Sequence, residues 1–234
     1  AISEIHGSGK QAYLLLPQIF RTEAEQFFTA QAGLLANLPF DALIVRNLEE
    51  PGYFRKLYES RGKLCPSLLF DFQVYGMNRE AQRCLKGFGA ARLTLPIEET
   101  ARELRALETR GQELVVAGRL PMMVSANCVK KTAARCDHKA EYMQLRDRRM
   151  MDMPVRTHCT FCYNTIYNAA PLSLSGVAGE LRELKLGAVR LLLTDAEQSR
   201  AAVRSLHHSF VLGERDVAEA YENFTRGHFR KGVE

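Results

Sequence analysis

Four cysteines lie within one 35-residue stretch of the chain, and cysteine side chains bind metals as thiolates. They are Cys128, Cys136, Cys159 and Cys162, and the last two form a C-x-x-C pair directly before Tyr163. A cluster of this density, in a chain with six cysteines in all, is more typical of a metal site than of a disulfide framework. The sequence therefore predicts that the chemistry of the protein lies in this stretch.

The spacing of the four cysteines leaves the identity of the metal open. Cys159 and Cys162 are close enough in sequence to face one centre, whereas Cys136 follows Cys128 at an irregular distance. Zinc ribbons usually carry two short C-x-x-C knuckles, while Fe–S clusters accept irregular spacings because their irons are separate anchor points. The pattern favours an Fe–S cluster, with zinc as the alternative and a metal-free stretch as the third reading.

Two histidines and two further cysteines complete the set of candidate ligands. His138 and His158 stand beside the clustered cysteines, where either could replace a thiolate or lie behind one. Cys65 and Cys84 lie outside the stretch and are expected to be buried as small apolar side chains.

Basic residues are concentrated around the cysteines. Between Cys128 and His158 the chain has eight Lys or Arg against four Asp or Glu, an excess of four in a chain of net charge +5. Such a collar suits an anionic substrate, RNA or a small carboxylate, although an ordinary solvated loop is equally consistent with it. The candidate substrate-binding residues are Arg119, Lys130, Lys131, Arg146 and Arg148.

The remainder of the chain alternates short apolar runs with segments of helical periodicity, which is typical of parallel βα repeats. Strands are predicted over Tyr13–Leu16, Ala42–Val45, Ser67–Phe70, Ala91–Leu95, Glu113–Val116 and Val189–Leu193. Helices are predicted over Glu23–Leu38, Pro51–Arg61, Arg79–Phe88, Ile97–Thr109, Gly176–Leu186 and Asp216–Phe224. Gly89, Gly111 and Gly187 each follow a helix and precede a strand, as left-handed helix stops do.

The predicted fold class is α/β, with TIM-barrel-like parallel βα repeats. Six strands are fewer than the eight that close a barrel, so we expect an incomplete barrel, and an open doubly wound sheet remains the alternative. Residues 118–174 interrupt the βα rhythm after the fifth strand and are predicted to be a cysteine-rich, metal-binding insertion. Barrel active sites are built from loops in that position.

The cysteine region closely resembles that of peptidase family U32, the collagenase-like peptidases. It is most similar to the C-terminal U32 module of the long Firmicutes-type members, and the similarity extends from about Leu14 to Glu234. The resemblance rests on Gly118–Ser125, Asn127–Cys128, Cys136, Leu145–Arg148, Pro154–Val155, Cys159–Asn168, Pro171–Leu174 and the closing Thr225–Phe229.

The resemblance carries implications beyond those of the spacing. Relatives have a TIM-barrel-like domain and a 4Fe-4S cluster on four cysteines, here Cys128, Cys136, Cys159 and Cys162. Several relatives perform oxygen-independent hydroxylations of an RNA base or of a quinone ring, with prephenate as a carboxylate oxygen donor. By resemblance, residues 1–234 form a single U32-type domain and the C-terminal part of a longer protein, whose N-terminal remainder is an expected partner.

The absence of certain sequence patterns narrows the possible function classes further. No run of eighteen apolar residues occurs, so a membrane span is not expected, and a reducing, cytoplasmic setting is the expectation. No H-E-x-x-H or G-x-S-x-G motif is found to support a peptidase. An Fe–S-dependent hydroxylase is therefore the leading prediction, with a U32 peptidase and a non-catalytic module with structural zinc as alternatives.

Overall fold

The chain is described here from a computed structural model, which covers residues 1–133, 135–193, 200–214 and 220–231. It divides into two compact units, Ala1–Thr94 and Leu95–Glu234, which are treated separately below. Among the described residues, no helix is long and apolar enough to cross a lipid bilayer.

The first unit is built on a four-stranded parallel sheet in the order β1-β2-β3-β4. Its strands are β1 Tyr13–Leu15, β2 Ala42–Val45, β3 Ser67–Phe70 and β4 Ala90–Leu93. The helices are α1 Ile2–Gly7, α2 Thr22–Ala30, α3 Ala32–Asn37, α4 Glu50–Glu59 and α5 Arg79–Gly87, and a 3₁₀ turn covers Phe72–Val74.

Buried apolar side chains hold the helices of the first unit against its sheet. Leu43, Val45 and Phe70 on the strands are fully buried, as is Phe54 on α4. The ring of Phe54 lies edge-on to that of Phe28 from α2, with centroids 5.0 Å apart. Burial of such side chains stabilises the fold by about 1.5–3 kcal/mol each.

The second unit contains a three-stranded sheet in the order β10-β5-β11. Strand β5 Glu113–Gly118 pairs in parallel with β11 Ala188–Leu192 and antiparallel with the short β10 Leu172–Ser173. The associated helices are α6 Ala101–Ala106, α8 Ala178–Glu183 and α9 Arg200–His207, with a 3₁₀ turn at Ser175–Val177 and a π-helical segment at His208–Leu212.

A separate antiparallel sheet of the second unit carries the cysteine region. It has the order β6-β9-β8-β7, with β6 Pro121–Ser125, β7 Tyr142–Arg146, β8 Asp152–His158 and β9 Tyr163–Tyr167. The short helix α7 Val129–Ala133 lies between β6 and β7 in the chain. The sequence did not predict these four strands.

All six predicted strands are present within a few residues of their expected bounds. They belong to two sheets, however: β1 to β4 form one parallel sheet, and β5 pairs with β11 in another. Among the described residues, the protein is thus a mixed α/β protein with one parallel, one mixed and one antiparallel sheet.

Several predicted helices are shorter than expected. The helix predicted over Glu23–Leu38 is broken at Gln31 into α2 and α3. The helix predicted from Ile97 begins only after Thr100, because Thr100 and Glu103 form a reciprocal capping box. The helix predicted over Asp216–Phe224 begins outside the described residues, and residues 220–224 are not helical.

Two of the three predicted glycine stops have the left-handed conformation. Gly89 and Gly111 have φ of 89° and 75°. The prediction for Gly187 is wrong, since Lys185 takes the left-handed position after α8, with φ of 52°. Gly187 is needed for a different reason, because a Cβ there would lie 2.6 Å from the Gly111 carbonyl oxygen.

Candidate functional site

The four clustered cysteines line one cavity of about 990 Å³ in the second unit. Two stretches of chain supply its lining, one within residues 126–133 and 135–138 and the other within residues 157–164. The first supplies Ala126, Asn127, Cys128, Lys131, Thr132, Arg135, Cys136 and His138, and the second supplies Thr157, His158, Cys159, Cys162, Tyr163 and Asn164.

Cys159 and Cys162 lie in the tight turn that joins β8 to β9. The turn closes with a hydrogen bond from the Phe161 N–H to the His158 carbonyl oxygen at 3.1 Å. Cys162 has a positive φ of 50°, an uncommon conformation for a residue with a side chain. Antiparallel pairing of β8 with β9 therefore brings both thiols to one end of the sheet.

Cys128 and Cys136 come from the other stretch of chain that lines the cavity. Cys128 immediately precedes α7, and its carbonyl oxygen accepts hydrogen bonds from the Thr132 N–H at 3.0 Å and from the Thr132 hydroxyl at 3.1 Å. Cys136 is half-buried in the loop after the helix. The two thiols thus flank α7, one directly before the helix and one in the loop after it.

The thiols share the cavity without forming a closed ligand set. Across the described ranges, no group of three or more Cys, His, Asp or Glu side chains is arranged to hold a metal ion. The donor set itself fits an Fe–S cluster, which is bound by four thiolates, and it also fits a zinc site with four cysteine ligands. The assignment of the four cysteines as metal ligands stays a prediction.

Both candidate histidines line the same cavity. The His158 ring stacks on Tyr163 with centroids 4.4 Å apart, and its Nε2 lies 3.2 Å from the Thr165 hydroxyl. His138 is exposed, with a positive φ of 57°. The positions of the two rings are compatible with either role considered from the sequence.

Of the two cysteines outside the cluster, neither is fully buried. Cys65 is half-buried and Cys84 is exposed on α5, so the expectation that both are core residues is wrong. Cys84 instead occupies the polar side of an amphipathic helix whose buried residues are Gln82 and Leu85.

Lys130 is enclosed by the chain rather than open to the cavity. Its residue is only 7% exposed, and its ammonium pairs with Asp137 and with Glu141, the latter at 3.1 Å. It also donates to the Lys139 carbonyl oxygen at 3.1 Å. The hydrogen bond from Lys130 lowers the pKa of Asp137 to about 2 and raises that of Lys130 itself. An ammonium has three donors, and all are used here, so this geometry does not favour substrate binding.

Arg119 and Arg146 are also engaged within the chain. The Arg119 guanidinium donates to the carbonyl oxygens of Asn168, at 3.0 Å, and of Ala169. On β7, Arg146 forms a two-pronged pair with Asp152, at 2.6 and 2.9 Å. Hydrogen bonding to Arg146 lowers the pKa of Asp152.

The remaining two candidates are exposed. Lys131 lies on α7 and lines the cavity, whereas Arg148 lies in the turn between β7 and β8. Of the five predicted substrate-binding residues, the structure therefore brings Lys131 to the thiols. Arg135, which was counted only as part of the basic collar, lines the cavity as well.

The charge of the cavity wall is positive. Lys131 and Arg135 are part of the lining, which contains no Asp or Glu among the described residues. Four thiolates with iron or zinc would carry a net negative charge, and cations near them favour the thiolate form. The same cations offer hydrogen-bond donors to an anionic ligand.

Asn164 was not singled out from the sequence. It is 1% exposed at the cavity wall, and its side-chain amide donates to the Asn127 carbonyl oxygen at 2.8 Å and to that of Ser125 at 3.4 Å. Its position directly after the C-x-x-C-Tyr sequence was the available signal.

Compared with family models, with curated proteins and with solved structures, the chain matches none of them. The resemblance to peptidase family U32 therefore rests on the motif residues alone.

Proposed function

We propose that this protein is an Fe–S-binding protein of the U32 type that acts as an oxygen-independent hydroxylase on RNA or another anionic substrate. The observation that carries the proposal is the shared cavity, in which all four predicted ligand cysteines meet a wall bearing Lys131 and Arg135. Sulfur donors and cations in one cavity suit a redox centre beside an anionic substrate.

The cluster would be held by Cys128, Cys136, Cys159 and Cys162 and would supply one-electron redox chemistry when bound. The chain's own contribution would be binding and orientation. Lys131 and Arg135 would hold phosphate or carboxylate oxygens. The cavity, at about 990 Å³, is in the size range of small-molecule sites. An oxygen donor such as prephenate is a carboxylate and would meet the same cations.

The fold that we propose around this site is an incomplete TIM-barrel-like arrangement. It is supported by the six βα-type strands and by the position of residues 121–167, which begin just after the carboxyl end of β5. Barrel enzymes place their functional loops at that end.

The decisive experiment is metal and sulfide analysis of anaerobically purified protein. An Fe–S protein should be brown and contain iron and acid-labile sulfide in equal amounts, at about four per chain for a 4Fe-4S cluster. A colourless protein with about one zinc per chain would favour the non-catalytic zinc module instead.

Substrate class needs a second experiment. Deleting the gene should remove one hydroxylated nucleoside from ribosomal or transfer RNA. An unchanged nucleoside profile, together with gelatin cleavage that disappears when the clustered cysteines are replaced by serine, would favour the U32 peptidase. That alternative requires either a metal-free nucleophile with a base or a metal with a free coordination position and a general base.

A further inference from the structure

The chain leading to Cys128 runs beside the strand that follows the C-x-x-C turn, because Ser125 on β6 pairs with Asn164 on β9, and the Asn164 side chain adds a further connection. Asn164 stands two residues after Cys162 on β9, and its Nδ2 donates to the carbonyl oxygen of Asn127, the residue before Cys128. It also reaches the Ser125 carbonyl at the end of β6. Both acceptors are carbonyl oxygens, which fixes the orientation of the amide, because a flipped amide would turn its own oxygen toward them.

Lys130 makes the corresponding connection for Cys136. The ammonium lies on α7, two residues after Cys128, and contacts the next stretch of chain at three points, Asp137, Lys139 and Glu141. Asp137 is the immediate neighbour of Cys136. Its carboxylate accepts from the Lys139 N–H at 3.0 Å as well, which closes the turn after the cysteine.

The burial of these two residues strengthens both connections. Asn164 is 1% exposed and Lys130 is 7% exposed. A buried donor that loses its acceptor keeps the cost of its own desolvation, and this cost is larger for a charged group than for an amide. Each contact therefore resists opening more strongly than an exposed one would.

We propose that Asn164 and Lys130 are positioning residues that hold the two dispersed cysteines, Cys128 and Cys136, in the cavity that Cys159 and Cys162 also line. The inference rests on the proposed function, in which the four thiolates bind one cluster. Neither residue is a ligand. Asn164 fixes the chain before Cys128, and Lys130 fixes the chain after Cys136. The sulfurs are therefore ordered before a cluster binds.

The test uses full-length protein with the substitutions Asn164→Asp and Lys130→Met. The first keeps the shape of the side chain but removes its N–H donors, and the second keeps the length but removes the charge. Residues that orient metal ligands typically contribute 10–100-fold to metal affinity, so iron should be lost to a chelator at about 10–100-fold lower chelator concentration than from wild type.

A second readout does not depend on metal. Hydrogen exchange of metal-free protein should become faster at residues 126–133 in Asn164→Asp and at residues 135–141 in Lys130→Met, without change in Ala1–Thr94. Matched controls are Asn168→Asp, at the end of the same hairpin, and Lys139→Met, whose exposed side chain lies in the same loop. Both controls should retain iron and exchange as wild type does.

The outcomes separate this inference from the proposed function. Anaerobically purified wild-type protein without iron would overturn the proposed function, and the local exchange would still show whether the two residues order the cysteine segments. Unchanged local exchange, or faster exchange throughout the chain, would overturn the positioning role. Faster local exchange with normal iron retention would also overturn the positioning role, because ordering of the cysteine segments would then have no effect on metal binding.

Discussion

The carboxyl group of Glu50 accepts a hydrogen bond through Oε2 from the Arg46 backbone N–H at 2.7 Å, in the loop that leads from β2 to α4. Its other oxygen, Oε1, is buried with no hydrogen-bond partner among the described residues. Glu50 is fully buried, and desolvation raises its pKa to about 8. Burial at the start of this helix therefore favours the protonated form of the carboxyl group.

Stability should depend on pH through Glu50. Its pKa is higher in the folded chain than the value of 4.5 for an unperturbed Glu, so the folded state binds more protons between those two values. The free energy of unfolding should therefore fall by up to about 5 kcal/mol as pH rises from about 4.5 to about 8, and then level off.

The substitution Glu50→Gln should remove most of this slope and make the protein more stable than wild type at about pH 9, because an amide stays neutral. Urea unfolding across the pH range measures this slope, and Glu49→Gln is the control because Glu49 is exposed. Equal slopes in wild type and Glu50→Gln would refute the prediction.

Two glycines near α8 should respond in opposite directions to alanine. Gly187→Ala should destabilise the fold by about 1–3 kcal/mol, since its Cβ would lie 2.6 Å from the Gly111 carbonyl oxygen. Gly179→Ala should be stabilising by about 0.5–1 kcal/mol, because it lies in α8 with no atom within 4 Å of the added Cβ. Thermal unfolding of both variants tests the backbone contact between Gly187 and Gly111.

Replacing any one of the four cavity cysteines by serine should sharply reduce bound iron. Each thiolate is expected to anchor one iron of the cluster, and a serine hydroxyl is a poorer ligand for it. Cys84→Ser is the control, because its thiol is exposed on α5. Iron and sulfide per chain provide the measurement, and retention of full iron in Cys136→Ser would remove that residue from the ligand set.

Binding to single-stranded RNA should separate the exposed cations from the paired one. Lys131→Ala and Arg148→Ala should weaken binding and each reduce the slope of log affinity against log salt by up to about one. Arg146→Ala should have a smaller effect, because Arg146 is already paired with Asp152. Equal effects of all three substitutions would show that the pairing does not survive RNA binding.

The sequence located the parallel strands because buried strands are continuous apolar runs. Leu43 and Val45 on β2 illustrate this pattern, and both are fully buried. The antiparallel strands were missed because they mix polar with apolar residues rather than forming continuous apolar runs. In β7, for example, Tyr142, Gln144 and Arg146 are exposed, and the polar composition was interpreted as loop.

The cysteines were predictable as a group, but the roles of the basic residues around them were not. Lys130 and Lys131 are adjacent in sequence, yet a helix directs neighbouring side chains about 100° apart. One is buried against carboxylates from a later loop, and the other lines the cavity. Pairings such as those of Lys130 and Asn164 depend on which loops meet, and sequence spacing does not encode that directly.

The left-handed backbone at Cys162 means that the residue best for stability at this position is not the residue that supplies a thiol. Glycine adopts that conformation without the cost of about 1 kcal/mol that a Cβ carries, and asparagine tolerates it better than most residues. Laboratory evolution for heat resistance alone should therefore replace Cys162 with glycine or asparagine. Evolution for the bound metal should retain the cysteine, so position 162 would show which of the two properties had been selected.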